Sequence, residues 1–293
     1  MKLTCVTAVR NAVAEGRREE MIRCIESVAA LKTPHEHLVY DGASTDGTVE
    51  LLRELAAKTP GLKVVSEPDT GIYNALNKGV RDAKGEWFYV LGCDDCICAP
   101  ATLDRLLAAE QNATQVIVAP VARDGARYQF HEKWDLRWIF WRHPYCHQGV
   151  LAKTAVVRES GGFDESFRLC ADGDLCMKFH EAGLRFHYTY EEFTLFAPNG
   201  ASEKRGPETW SEVTRFLQRH LKMTDAETIR FRQVGYPPLR IMVPFLFHRD
   251  EAFRIGARFM VQRCFSHGLK CLARPFPASW KRTVKKLLRR ASA

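Results

Sequence analysis

The chain has 293 residues, of which 46 % are hydrophobic and 27 % charged, and a formal net charge of +8. That length and balance describe a folded chain with room for one large α/β domain or a domain with an appendage, and they exclude disorder as the default state. No window reaches the roughly 18–20 apolar residues that a spanning helix needs, and the opening run, cut by Thr4 and Thr7 and ended by Arg10 and Asn11, is too short for a secretory leader. A cytoplasmic protein is the expectation.

The charge is unevenly placed. From Arg249 onward twelve Lys or Arg stand against Asp250 and Glu251, so residues 1–248 carry a net −2. The ten cysteines are scattered through apolar segments, the pattern of reduced core thiols. Cys93, Cys96 and Cys98 form a cluster, but a zinc site needs a fourth ligand, and the sequence offers no obvious one.

In chain order, Leu3–Val9 reads as a strand and Arg18–Leu31 as an amphipathic helix with Met21, Ile22, Ile25, Val28 and Ala29 on its apolar side. HLVYDGAS is a second strand entering a turn, Thr48–Ala57 a helix, and LKVVSEP a third strand. Ile72–Ala83 is helical, EWFYVLG a fourth strand, Ala99–Glu110 a helix and QVIVAPV a fifth strand. This alternation predicts a mostly parallel sheet with helices on both faces. Further on, Leu175–Ala182 reads as a helix, FHYTYEEFTLFA as strand-like and Thr209–Leu221 as a helix. Residues 206–293 form a separate basic, helical, amphipathic region, leaving 1–205 as the main domain.

Polar residues gather where the predicted strands end. The first strand runs into Thr7, Ala8, Arg10 and Asn11, and the second into Asp41, Ser44 and Asp46. The third runs into Asp69 and Gly71, and the fourth into Asp94 and Asp95. In an open parallel sheet those ends form one rim, the edge where ligands bind. Loops favour Asp and Gly for their own reasons, yet four successive strands delivering acids or amides to one edge point to a site. The adjacent pair Asp94 and Asp95 suits a hard divalent cation such as Mg²⁺ or Mn²⁺, held by one or two carboxylates and substrate phosphates. Such an ion acts as a Lewis acid toward a departing diphosphate.

The stretch SEPDTGIYNALNKGVRDAKGEWFYVLGCDD resembles the central signature of the family 2 glycosyltransferases, in particular the non-processive bacterial group that builds cell-surface polysaccharides. TAVRN and DGASTDGT are similar to the opening and nucleoside-binding loops of that family. HQG at His147–Gly149, GGFDESF at Gly161–Phe167, ADGDL at Ala171–Leu175 and NGAS at Asn199–Ser202 follow in the same order, and the likeness runs from about Leu3 to Lys204.

The resemblance implies a GT-A fold and an inverting, metal-dependent transfer of a sugar from a nucleoside-diphosphate sugar to a hydroxyl, with UDP the favoured nucleotide. It implies that Thr7, Ala8 and Arg10 line the nucleotide pocket with Asn11, Ser44 and Asp46 beside them, and that Asp41 bonds the base. Asp69 and the segment from Gly71 through Asn74 to Lys78 would lie near ribose and phosphates, Asp94 would touch ribose or sugar, and Asp95 would ligate Mg²⁺ or Mn²⁺. Asp172 would be the catalytic base, since a positioned carboxylate takes the proton of an otherwise poor hydroxyl nucleophile. Asp174 is an alternative base or a helix N-cap. His147 and Gln148 would face the acceptor or a phosphate. Two positions depart from the family pattern: Cys93 stands where a small polar residue is common, and Gly173 where an aromatic is common. The Gln-x-x-Arg-Trp mark of processive synthases is absent, which implies single additions.

The implied acceptor is a glycolipid or saccharide, including a polyprenyl-linked one. The basic tail, with Phe253, Phe259, Phe276 and Trp280, reads as an interfacial segment docking on anionic lipid of the inner leaflet. Its alternative is a helical extension packed on the main domain. Trp134, Trp138 and Trp141 recur at near-helical spacing and read as core or as a flap over the acceptor. No nucleic-acid module is present. Two rival functions remain, a nucleotidyltransferase of similar fold and a non-catalytic sugar-nucleotide binder. The first would need a basic Gly-rich loop that RNAVAEGRREE resembles poorly, and the second sits badly with three intact acids.

Overall fold

A computed structural model describes residues 1–109, 113–123, 126–128, 146–197 and 207–234. The tryptophans Trp134, Trp138 and Trp141, the Asn199–Ser202 loop and the basic segment from Arg249 lie outside the described residues.

The first half alternates as its periodicity predicts, through β1 (Leu3–Val9), α1 (Arg18–Ala29), β2 (His35–Asp41), α2 (Thr48–Ala56), β3 (Leu62–Ser66), α3 (Ile72–Asp82) and β4 (Trp87–Val90). There follow β5 (Cys96–Ile97), α4 (Pro100–Ala108), β6 (Val116–Val118), β7 (Val121–Arg123) and β8 (Ala126–Tyr128). A 3₁₀ turn at His147–Gly149 leads into β9 (Val150–Lys153), α5 (Thr154–Glu159), α6 (Ala171–Glu181), β10 (Phe186–Tyr188) and β11 (Thr194–Leu195). The main sheet has seven strands in the order β10-β6-β9-β4-β1-β2-β3, and β5-β11-β7-β8 form a smaller one.

β1 pairs in parallel with both β2 and β4, and β2 with β3. Those four strands therefore end at one edge, and chain direction across the sheet reverses between β1 and β4, the switch point where ligands bind in such sheets. β9 runs antiparallel between β4 and β6. Its four residues, VLAK, give too brief an apolar run to announce a strand. QVIVAPV, expected as one strand, is two: the chain leaves the main sheet at Ala119-Pro120, and β7 pairs in the smaller sheet. Pro120 has no N–H to continue a ladder.

Alternation along the strands sorts side chains between two faces. Leu3, Cys5, Trp87 and Tyr89 pack with Cys24 and Val28 of α1 and Leu103, Leu106 and Leu107 of α4. Val9 and Val39 pack with Met21 and Ile25 of α1 and Leu51 and Leu52 of α2. α3 covers the opposite face, where a Cβ on Gly79 would stand 2.5 Å from Val6 Cγ1. The fold thus has the expected α/β class, with helices on both faces. α3 ends where the Arg158 guanidinium of α5 donates to the carbonyls of Val80 (3.0 Å) and Arg81 (3.1 Å) and to Ala83 O (2.6 Å). Those carbonyls have no partner inside the helix, and a cation there also meets the negative end of the helix dipole.

The described residues from Trp210 onward fall in a second compact unit. Here α7 (Pro207–Leu221) buries Val213, Phe216, Leu217 and Leu221 at helical spacing. α8 (Asp225–Val234) opens with a capping box. Thr224 N donates to Glu227 Oε2 at 2.9 Å, and Glu227 N returns a bond to Thr224 Oγ1 at 3.3 Å.

Candidate active site

The C-terminal edge of β1–β4 carries three connected groups of side chains. The first joins the ends of β1, β2 and β3. Asp41, 1 % exposed, accepts from Ser44 N (3.0 Å) and Ser66 Oγ (2.7 Å), and also from the Ser44 hydroxyl. Ser44 Oγ accepts from Asn11 N at 2.7 Å, and Asn11 Oδ1 from Thr45 N at 3.1 Å. Asn11 holds a positive φ of 50°, which asparagine tolerates better than most residues. Asp46 receives Ala14 N (2.6 Å) and Thr48 N (3.1 Å), tying the loop after β1 to the start of α2.

Gly42 leaves space that other side chains use: a Cβ there would meet Asp69 Oδ2 at 2.6 Å and Arg10 Cδ at 3.3 Å. Asp69 Oδ1 also accepts Gly71 N at 3.0 Å, and Gly71 enters α3 with φ 141°, a conformation that suits glycine. Lys78 is held by Glu67 (2.7 Å) and Pro68 O (3.1 Å). Ala8 stands in register with Tyr40, partly exposed at the rim. Thr7 behaves differently. Its hydroxyl donates to Leu91 O (2.9 Å) and accepts from His37 Nε2 (2.9 Å), so its side chain belongs to the interior beneath the site.

The second group follows β4. Gly92 is again the enabling residue, since a Cβ would meet Asp95 Oδ2 at 2.5 Å and Asp94 Oδ1 at 2.9 Å. The two carboxylates therefore converge on one small space. Asp95, 1 % exposed, takes Gly92 N (3.2 Å) and Ala197 N (2.8 Å), while Asp94 forms an ion pair with Arg17 from the loop after β1. Burial, and then the charge of Asp94, push the Asp95 carboxyl up to about 6. Two converging oxygens, one of them on an acid that burial and its neighbour discourage from ionising, fit a hard cation that would reverse both effects. Among the described residues no group of three or more His, Cys, Asp or Glu could hold a metal ion by itself. Burial, and then the charge of Asp94, push the Cys93 thiol up to about 12, which disfavours the thiolate.

The third group surrounds Asp172, 8 % exposed in the first turn of α6. Its Oδ1 accepts Gly173 N (2.8 Å) and Tyr73 OH (3.3 Å), and its Oδ2 pairs with His147 Nδ1 (2.9 Å). Burial disfavours the His147 imidazolium, but the Asp172 hydrogen bond and the charges of Asp172 and Asp95 outweigh it and raise its pKa. Gln148 faces inward: its side chain accepts from Cys146 Sγ (2.7 Å), and its carbonyl from Tyr89 OH (3.0 Å) and Thr194 Oγ1 (2.9 Å).

Asp174 is not an N-cap. α6 begins earlier than its sequence suggests, Asp174 N already bonds back to Cys170 O at 2.9 Å, and the fully buried carboxylate pairs with Lys178 one turn on at 2.9 Å.

Four participants receive no individual role from the sequence: Arg17, and Tyr73, Asn77 and Glu165, which lie inside quoted motifs without being singled out. Glu165 accepts from Asn74 Nδ2 (2.9 Å) and Asn77 Nδ2 (2.8 Å), while Asn77 also exchanges bonds with the backbone of Phe163, whose ring stacks on Tyr73 at 5.7 Å. The available signal was the spacing of Tyr73, Asn74 and Asn77 on one side of a helix. It needed a partner that only the fold reveals.

Residues 4–162 match the family model described as Glycosyl transferase family 2, more than half of the chain. The chain belongs to that family. The PGL/p-HBAD biosynthesis glycosyltransferase of Mycobacterium bovis (strain BCG / Pasteur 1173P2) is 28 % identical over 182 residues, covering 58 % of this chain and 71 % of that protein. Among solved structures, residues 1–349 of S. aureus TarS in complex with UDP-GlcNAc superpose with TM-score 0.62 at 17 % identity, covering 92 % of each chain. This family 2 glycosyltransferase spans only 44 % of the longer TarS chain. The mannosyltransferase PcManGT from Pyrobaculum calidifontis, in complex with GDP-Man and Mn2+, gives TM-score 0.58 at 19 % identity, covering 98 % of this chain and 80 % of that one. These likenesses show the GT-A fold. No helix among the described residues is long and apolar enough to cross a membrane.

Proposed function

We propose that this glycosyltransferase is an inverting, metal-dependent enzyme that moves a hexosyl or N-acetylhexosaminyl group from a nucleoside-diphosphate sugar, UDP favoured, to a hydroxyl of a glycolipid or saccharide acceptor in surface polysaccharide assembly. The observation that carries this reading is Asp172, a buried carboxylate bonded by Gly173 N, the Tyr73 hydroxyl and His147 Nδ1. In this reading Asp172 takes the acceptor proton as the new C–O bond forms and the bond from the anomeric carbon to the diphosphate breaks. One base is enough, in contrast to the two carboxylates of glycoside hydrolysis.

Asp95, with Asp94 beside it, would hold Mg²⁺ or Mn²⁺, which would supply Lewis-acid neutralisation of the diphosphate. The polar ends of β1–β3, with Arg10, Asn11, Asp41, Ser44, Asp46 and Asp69, would receive the nucleoside, and Lys78 and the start of α3 the phosphates. The complexes of TarS with UDP-GlcNAc and of PcManGT with GDP-Man and Mn2+ support this division, and the mycobacterial relative's name, a PGL/p-HBAD biosynthesis glycosyltransferase, supports a biosynthetic role. Residues 1–205 form the catalytic domain in this proposal. Residues 206–293 form a C-terminal region whose basic, apolar-punctuated tail from Arg249 docks the enzyme on anionic lipid at the inner face of the cytoplasmic membrane, where a polyprenyl-linked acceptor resides.

Asp172→Asn tests the assignment. Release of nucleoside diphosphate in the presence of acceptor collapses, while UDP or GDP with Mn²⁺ still raises the unfolding temperature as it does for the parent protein. Unchanged turnover removes Asp172 from the role of base, and loss of ligand binding along with turnover would mean the change had damaged the pocket instead.

A further inference from the structure

We propose that His147 is a positioning residue that acts through Nδ1 to hold the Asp172 carboxylate in its working orientation, and that it does not act by contacting a ligand. The inference rests on Asp172 being the base.

The His147–Gly149 turn is a fixed platform. Gly149 N bonds Cys146 O at 3.0 Å, Ala119 N bonds Gly149 O at 2.8 Å, and the Gln148 carbonyl takes both the Tyr89 and Thr194 hydroxyls. Gly149 packs so tightly on the Ala119 carbonyl that a Cβ has no room. An imidazole leaving such a backbone has little freedom except about its own χ angles. Its Nδ1 lies 2.9 Å from Asp172 Oδ2, and an ionised carboxylate only accepts, so Nδ1 carries the hydrogen.

Three elements then grip one carboxylate: α3 through Tyr73, α6 through Gly173 N, and the 3₁₀ turn through His147. Tyr73 and Gly173 both bond Oδ1, whereas His147 bonds Oδ2, so the imidazole restrains rotation of the carboxylate from the oxygen opposite theirs. A base misplaced by about 1 Å forfeits on the order of 10²-fold in rate.

The side-chain amide nitrogen of asparagine falls near the Nδ1 position of histidine, and that of glutamine near Nε2, which separates the two roles. His147→Asn, His147→Gln and His147→Ala are compared in the full chain, alone and with Asp172→Asn. The readout is nucleoside-diphosphate release from UDP-GlcNAc, UDP-glucose or GDP-mannose, whichever is turned over, with Mn²⁺. The Ala and Gln variants should lose roughly 10²-fold in kcat with the donor KM unchanged. The Asn variant should recover at least about tenfold of that loss, and no His147 change should matter further once Asp172 is Asn.

Rescue by Gln instead of Asn, or a raised donor KM at constant kcat, overturns the inference in favour of ligand contact through Nε2. If Ala at 147 fails to fold, the Asn and Gln pair still decides. Dead Asp172→Asn beside fully active His147 variants sinks this inference alone, whereas active Asp172→Asn sinks the base and the inference together.

Discussion

Arg17 and Asp94, 77 residues apart in the chain, form an ion pair that joins the loop after β1 to the turn after β4. It bridges the two parallel strands at which the strand order reverses, so the switch point is tied by charge as well as by the β1–β4 ladder. Asp94 holds the Arg17 guanidinium against the cost of partial burial, and the net effect raises its pKa.

Both partners keep some contact with water, at 27 % and 17 % side-chain exposure, so the pair contributes modestly. Arg17→Gln should cost about 1 kcal/mol or less, a fall in unfolding temperature of roughly 2–4 °C. Repeating the melt in 0.5 M salt checks the cause, because screening weakens the pair and should narrow the gap between variant and parent. A gap that stays the same in salt would mean the loss is one of packing.

Gly79 separates two opposed effects. Alanine ordinarily improves a helix interior by roughly 0.5–1 kcal/mol over glycine. Here its Cβ would lie 2.5 and 2.8 Å from the two methyls of Val6 on the buried face of β1. Overpacking of that kind costs about 1–3 kcal/mol and should win. Gly79→Ala is expected to destabilise in urea unfolding, and adding Val6→Ala should give less total loss than the two single changes summed. A stabilised Gly79→Ala would show that α3 can move away from the sheet.

His37 makes stability depend on pH. Thr7 gives its proton to Leu91 O, so His37 must donate from Nε2, which leaves Nδ1 buried with no hydrogen-bond partner. Burial, and then His35, lower its pKa to about 3. The unfolded chain has an ordinary histidine near 6.5 and binds the proton that the folded chain refuses. This contribution is therefore complete above about pH 6.5 and is lost as pH falls toward 3, with a slope near 1.4 kcal/mol per unit. Between pH 6.5 and 5 the parent protein should lose about 2 kcal/mol more than His37→Gln, measured by urea unfolding. Parallel curves would remove His37 as the source.

How far the sequence could be read depended on the reach of each signal. The run from β1 to β4 was legible because each element carries its own period, even though β4 lies beside β1 and not beside β3. β9 was not, since its strand character comes from lying between β4 and β6. The start of α6 was hidden because Asp172, Gly173 and Asp174 have weak helix propensity, which burial and the acid-favouring helix N-terminus override. At the rim the acids stood out by type and position. Their partners did not: Tyr73 reads as an ordinary apolar-face residue until Asp172, 99 positions away, arrives beside it.

The helix α3 is gripped along its whole length, by Asp69 at its entrance, by Glu165 and Phe163 along its flank and by Arg158 at its exit. A rod clamped in this way transmits displacement more readily than it absorbs it. The turn at Asp69 and the Tyr73 hydroxyl that bonds Asp172 therefore sit on one braced element, the first at its mouth and the second in its opening turn.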